Sequence, residues 1–149
     1  MISYTKSYDL RAFPPGCNIR TSGSTALAAG VRQLRILLAE DDAVVGSLLA
    51  ELLVGIGHDV CRIATTENEA VAAAAQEFPD LMIVDAHLRQ GSGMAAMETI
   101  LRSGPMPHIF MTGNSRLTMP SSALVLRKPF SVTDLIAAVN SAAGYCAVP

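Results

Sequence analysis

Leu81-Met82-Ile83-Val84-Asp85 is a run of four apolar residues closed by a carboxylate, and the same form recurs along the chain. Arg35-Ile36-Leu37-Leu38-Ala39 runs into Glu40 and Asp41. His108-Ile109-Phe110-Met111 runs into Thr112, and Ala123-Leu124-Val125-Leu126-Arg127 into Lys128. Short, continuously apolar runs are what strands buried on both faces of a parallel sheet require. With these four as parallel strands of one sheet, the groups that close them emerge together at its carboxyl edge. That edge is where open α/β sheets build their sites.

Helix signals fill the gaps between the runs. After the first strand, 35–39, an acidic loop leads to a helix near 43–54 that Gly55 and Gly57 terminate. A second strand is expected at about 58–64. Thr66-Glu67-Asn68-Glu69 has the form of a capping box opening an Ala-rich helix to about Glu77, which Phe78-Pro79-Asp80 breaks. Gly91-Ser92-Gly93 precedes a helix to about Ser103, ended by Gly104-Pro105. Ser131-Val132-Thr133-Asp134 starts the last helix, through about Ala143. Strands alternating with helices, joined by right-handed crossovers, give a doubly wound α/β fold. The expected sheet has five parallel strands in the flavodoxin-like order 2-1-3-4-5. Gly113, Asn114 and Pro120 crowd the segment between strands four and five, so the fourth helix is expected to be shortened or vestigial. In this order strands one and three are neighbours, and Glu40, Asp41 and Asp85 share one crevice.

Composition sets the outer limits. The 149 residues are half apolar and 16% charged, which is a globular balance and long enough for one domain. A net charge of −2, with scattered Lys and Arg, gives no grip on nucleic acid. No apolar run approaches the roughly 18 residues that would span a bilayer. Cys17, Cys61 and Cys146 are widely spaced and form no CxxC, consistent with a reduced, cytoplasmic protein. Residues 1–33, with Pro14-Pro15-Gly16 and Thr21-Ser22-Gly23-Ser24-Thr25, read as a flexible or loosely docked leader. The domain is expected over 34–144, with a short tail at 145–149.

Each group has a plain structural explanation when taken alone. An acidic pair before a helix caps it, Thr in a Thr-Gly turn is a turn residue, and Lys before Pro is a solvated charge. Together, at the ends of adjacent strands, they form a chemical set. Three close carboxylates repel and call for a cation, and oxygen-only ligands favour a hard ion such as Mg2+. A carboxylate can attack phosphorus to give an aspartyl phosphate, while an ammonium and a hydroxyl stabilise the added negative charge.

These residues carry a family resemblance. Arg35-Ile36-Leu37-Leu38-Ala39-Glu40-Asp41-Asp42, Leu81-Met82-Ile83-Val84-Asp85, Gly91-Ser92-Gly93, Met111-Thr112-Gly113 and Lys128-Pro129-Phe130 resemble the receiver domain of bacterial two-component response regulators. The resemblance covers residues 34–143, about three quarters of the chain. It implies Asp85 as phospho-acceptor, with Glu40, Asp41, Asp85 and the His87 backbone carbonyl as Mg2+ ligands. It implies Thr112 and Lys128 as the pair that senses the phosphoryl group, and a cis Lys128–Pro129 bond. Asp42, one place beyond the metal pair, reads as a helix cap or outer-shell group. Pro107-His108-Ile109-Phe110-Met111-Thr112-Gly113 is partly similar to an atypical receiver subgroup with a Pro-x-x-Phe-x-Thr-Gly motif, from which Asn114 departs.

Other departures bear on mechanism. Arg89 stands where receivers commonly carry Pro, and Val125 where they carry an aromatic switch residue, so aromatic gating is excluded. The short span from Thr112 to Lys128 puts the usual dimer face in doubt. His87 and Asn114 are expected to flank the path of attacking water. Met94, Met97, Met106, Met111 and Met119 are expected to pack the core and its edges.

The short leader and the short tail after the last helix lead to the expectation of a stand-alone, single-domain receiver, which the resemblance implies is phosphorylated by a sensor histidine kinase or histidine phosphotransfer protein. Its output is phosphorylation-dependent contact with a downstream protein. It is then no enzyme in the usual sense, although it assists its own phosphorylation and dephosphorylation. The alternative is a phosphoryl carrier or sink without an output switch. A metal-dependent phosphohydrolase is a third reading, disfavoured because the expected nucleophile follows strand three rather than strand one.

Overall fold

The computed structural model describes residues 32–144. The tail at 145–149, Cys17, Cys146 and all but the last two residues of the expected leader lie outside the described residues. Five strands, β1 (Arg35–Ala39), β2 (Asp59–Ala64), β3 (Leu81–Asp85), β4 (His108–Thr112) and β5 (Leu124–Arg127), form one sheet in the order β2-β1-β3-β4-β5. Every pairing is parallel. The helices among the described residues are α1 (Ala43–Gly55), α2 (Glu67–Glu77), α3 (Gly93–Leu101) and α4 (Val132–Ala142). The doubly wound expectation is met, and residues 113–123 hold no helix at all.

The two-residue period of the strands divides the core into two layers. Leu37, Ala39, Met82, Val84 and Phe110 face α2 and α3, where Ala70, Ala73 and Ala74 let the helix approach closely. Ile36, Leu38, Ile83, Ile109, Met111 and Leu126 face α1 and α4 through Leu49, Leu53, Leu135 and Val139. Met97 and Met111 are buried. Met94, Met106 and Met119 pack partly buried against the first layer, so the methionines do serve as packing. Met119 and Ala123 come from the stretch without a helix and cover part of that face.

Helix ends follow the capping chemistry, with one correction. Asp42 accepts from the N–H groups of Val44 and Val45 at 2.9 and 3.0 Å, as a cap should. Ser131 and Asp134 form a reciprocal capping box on α4, at 3.1 and 2.9 Å. On α2, Thr66 Oγ1 does accept from Glu69 N–H at 3.1 Å. The return half of that box falls one residue early, because the Glu69 carboxylate accepts from both the N–H and the hydroxyl of Thr65.

The α1 terminus buries a histidine, His58, that no motif marks. Gly57 takes φ 101°, and its N–H donates to Val54 O at 3.0 Å while His58 N–H donates to Leu53 O at 3.0 Å. This Schellman geometry turns the chain inward. His58 is 4% exposed, and its Nδ1 accepts from Leu34 N–H at 3.2 Å. Burial pushes its pKa below the ordinary 6.5. The unfolded chain therefore takes up a proton below pH 6.5 that the folded chain refuses, and stability falls as pH falls. The His58 contribution to the unfolding free energy is expected to be level above that pH and to drop below it by up to about 1.4 kcal/mol per pH unit. In His58→Asn, which keeps an acceptor, denaturant titrations across this window should show a flatter profile. Equal slopes in the two proteins would contradict the assignment.

Candidate functional site

Register alone brings the strand ends together. Ala39 is level with Val84, Asp85 with Met111, and Thr112 with Arg127. Glu40, Asp85, Thr112 and Lys128 thus lie at, or one residue beyond, the carboxyl ends of four adjacent strands. Glu40 N–H still donates to Ala64 O at 2.9 Å, which carries β1 to the edge before the chain turns into α1. Lys128 N–H donates to Thr112 O at 2.9 Å, extending the β4–β5 ladder in the same way. The Lys128–Pro129 bond is cis, as the family resemblance implies.

Lys128 joins the two buried carboxylates. Its Nζ lies 2.6 Å from Asp85 Oδ2 and 3.0 Å from Glu40 Oε2. Asp85 Oδ1 accepts from His87 N–H at 2.9 Å, and Glu40 Oε1 from Asp42 N–H at 3.1 Å. Burial raises the Glu40 pKa above the usual carboxylate value and the Asp85 charge adds to that, although the Asp42 N–H and the Lys128 ammonium oppose it. Burial also works to lower Lys128, but its hydrogen bonds to Asp85 and Glu40 outweigh this and hold it above its ordinary value. The ammonium therefore stays charged at neutral pH. Asp41 is half-buried beside them, and the three carboxylates each place an oxygen within 4.8 Å of the others. Three acids against one ammonium leave excess negative charge around an all-oxygen donor set, which suits a hard cation.

The remaining expected residues take different positions. Thr112 is buried at the same edge, with its hydroxyl accepting from Asn114 N–H at 3.0 Å. His87 and Asn114 are exposed on the loops after β3 and β4. His87 reaches Asp85 through its backbone N–H rather than its ring. A cavity of about 340 Å³ opens beside the acids, lined by Asp41, Asp42, Ala43, Val44 and Arg89.

The loop after β3 is tightly folded around Asp85. Ala86 N–H donates to Met111 O at 2.9 Å, Gly93 N–H donates to Ala86 O at 3.1 Å, and His87 and Ser92 form an antiparallel bridge. A Cβ on Gly93 would collide with the Asp85 carbonyl and the Val84 side chain, so only glycine permits this approach. The sequence marked Gly91-Ser92-Gly93 as a helix start and missed this contact. The strand pattern places Lys128 and Glu40 at one edge, but the direct bond between them, across 88 residues of chain, is visible only in the fold. No helix among the described residues is long and apolar enough to cross a membrane.

Comparison with known proteins places this arrangement. Residues 36–140 match the family described as response regulator receiver domain. The chain is 32% identical over 113 residues to the phyllosphere-induced regulator PhyR of Methylorubrum extorquens, covering 72% of this chain and 42% of that protein. It is 32% identical over 127 residues to the transcriptional regulatory protein PdtaR of Mycobacterium tuberculosis, covering 81% of this chain and 62% of that one. The matched region is thus well short of either relative's full length. The solution structure of the Erythrobacter litoralis PhyR receiver domain superposes with a TM-score of 0.67 at 27% identity, covering 78% of this chain and 95% of that domain.

Proposed function

The chain belongs to the response regulator receiver family, and on that premise we propose that Asp85 accepts a phosphoryl group from a histidine kinase or histidine phosphotransfer protein in the cytoplasm. The observation that carries this reading is the Lys128 ammonium bonded at once to Asp85 and Glu40, at 2.6 and 3.0 Å, beside a third carboxylate. Glu40, Asp41 and Asp85 would hold Mg2+, together with the His87 carbonyl. The bound ion would neutralise the carboxylates and the phosphoryl oxygens during transfer.

The chain's own residues have separable tasks. One Asp85 oxygen attacks the donor phosphorus; the new O–P bond forms as the bond from phosphorus to the donor's histidine nitrogen breaks. His87 N–H holds the Asp85 carboxylate in place. Lys128 exchanges part of its bonding from the carboxylates to the phosphoryl oxygens, as a point charge with three donors can. Thr112 can offer its hydroxyl to the same oxygens while Asn114 N–H donates to it. The aspartyl phosphate brings about −1.5 to −2 charge to this edge. Chelation by EDTA is expected to abolish uptake of phosphate from a small-molecule phosphodonor; full uptake in EDTA would refute the metal assignment.

Two outputs fit this chemistry. A phosphorylation-dependent partner contact is the leading reading. A carrier or sink is favoured by Val125 at the place of the aromatic switch residue and by the lack of a helix over 113–123. A partner captured only by the phosphorylated protein supports the first. Onward transfer to a histidine phosphotransfer protein supports the second.

A further inference from the structure

We propose that Glu67 is a positioning residue for the phospho-acceptor, clamping from α2 the loop that carries His87 against Asp85. The proposal rests on the reading of Asp85 as phospho-acceptor for its functional meaning, and on the geometry of one residue for its substance. Glu67 Oε2 accepts from Ser92 N–H at 2.9 Å, and Glu67 N–H donates to Gln90 O at 3.0 Å. Between these contacts lies Gly91 at φ 83°, where a Cβ would fall inside the Glu67 side chain. Three successive loop residues are therefore fixed by a single side chain and backbone from a different element.

The contact passes directly to the site. Ser92 bridges His87, and Ser92 Oγ also caps α3 by accepting from Ala95 N–H at 3.0 Å. His87 N–H in turn donates to Asp85 Oδ1 at 2.9 Å. The path from Glu67 to the phospho-acceptor is thus Ser92, then His87, then Asp85: a side-chain carboxylate holds the Ser92 N–H, a backbone bridge joins Ser92 to His87, and the His87 N–H holds the Asp85 carboxylate. Freed from Glu67, the loop keeps its Gly93–Ala86 bond but loses the contacts that set where Ser92 and His87 stand. Partners that orient metal ligands from outside the first coordination shell commonly govern metal affinity in this way.

An acid in the first turn of a helix has an ordinary alternative task, matching the helix dipole. Two variants separate the two roles. Glu67→Asp keeps the charge but is one methylene too short to reach Ser92. Glu67→Gln loses the charge but keeps an acceptor of the right length. Amide hydrogen exchange in the metal-free protein reads the clamp without any phosphodonor. Glu67→Asp is expected to speed exchange at His87 and Ser92 about tenfold, while Glu67→Gln stays near wild type and Ile83 in β3 stays unchanged in both. Mg2+ affinity by calorimetry should follow the same order, about tenfold weaker in Glu67→Asp. Wild-type exchange at His87 in Glu67→Asp would overturn the proposal. So would a larger effect of Glu67→Gln, an equal effect of both, or a parallel rise at Ile83. A wild-type chain that takes up no phosphoryl group would refute the functional reading and leave the exchange result standing, so the two failures are distinguishable.

Discussion

Lys128→Ala is expected to slow phosphoryl uptake by two to three orders of magnitude, about what losing one aimed donor costs an enzyme that stabilises an oxyanion. The ammonium that bonds Asp85 and Glu40 together disappears, so two buried carboxylates face each other without it. Their repulsion must then be borne by bound cation alone, and the phosphoryl oxygens lose a charged donor at the moment they approach Asp85. Lys128→Arg should recover little, because a planar guanidinium fork does not replace a compact ammonium between two acids. The fold should persist, since Lys128 sits at the sheet edge and belongs to neither core layer. Time courses of the phosphorylated fraction measure the effect directly. A wild-type rate in Lys128→Ala would remove Lys128 from the mechanism.

Gly93→Ala is expected to destabilise the protein by about 3 kcal/mol, at the upper end of ordinary overpacking. The obstruction is backbone, the Asp85 carbonyl, rather than the far end of a flexible side chain. Relief requires β3 or the start of α3 to move, and either displaces Asp85 relative to Lys128. Gly113→Ala is the control, because a Cβ there meets only Lys128 Cβ, at 3.9 Å. Its stability should be close to wild type. Chemical denaturation of both variants measures the difference; similar midpoints for the two would contradict the steric account.

The parts of this molecule legible in its sequence share one property: their signal is local and repeated. Burial on both faces makes β1, β3 and β4 continuous apolar runs, so strand type and the position of each terminal group follow together. Glu40, Asp41, Asp85 and Lys128 are legible for that reason: the structure bonds Lys128 to Glu40 and Asp85 and sets Asp41 within 4.8 Å of the two acids. Thr112 was placed at the correct edge, though its hydroxyl partner in Asn114 follows from loop geometry. What stayed hidden depends on which distant segments meet. Glu67 reads as a first-turn acid until the loop over 90–92 is seen to lie on its carboxylate. His58 reads as an ordinary residue after a helix stop until the Schellman turn points it at Leu34 N–H. The Thr66–Glu69 box was half right, because the competing donors of Thr65 are invisible to a motif.

Intact mass after incubation with a small-molecule phosphodonor and Mg2+, for wild type and Asp85→Asn side by side, tests the central claim most directly. The wild type is expected to gain one phosphoryl adduct that needs the metal, and Asp85→Asn to gain none. An adduct of equal yield in Asp85→Asn would contradict Asp85 as the acceptor.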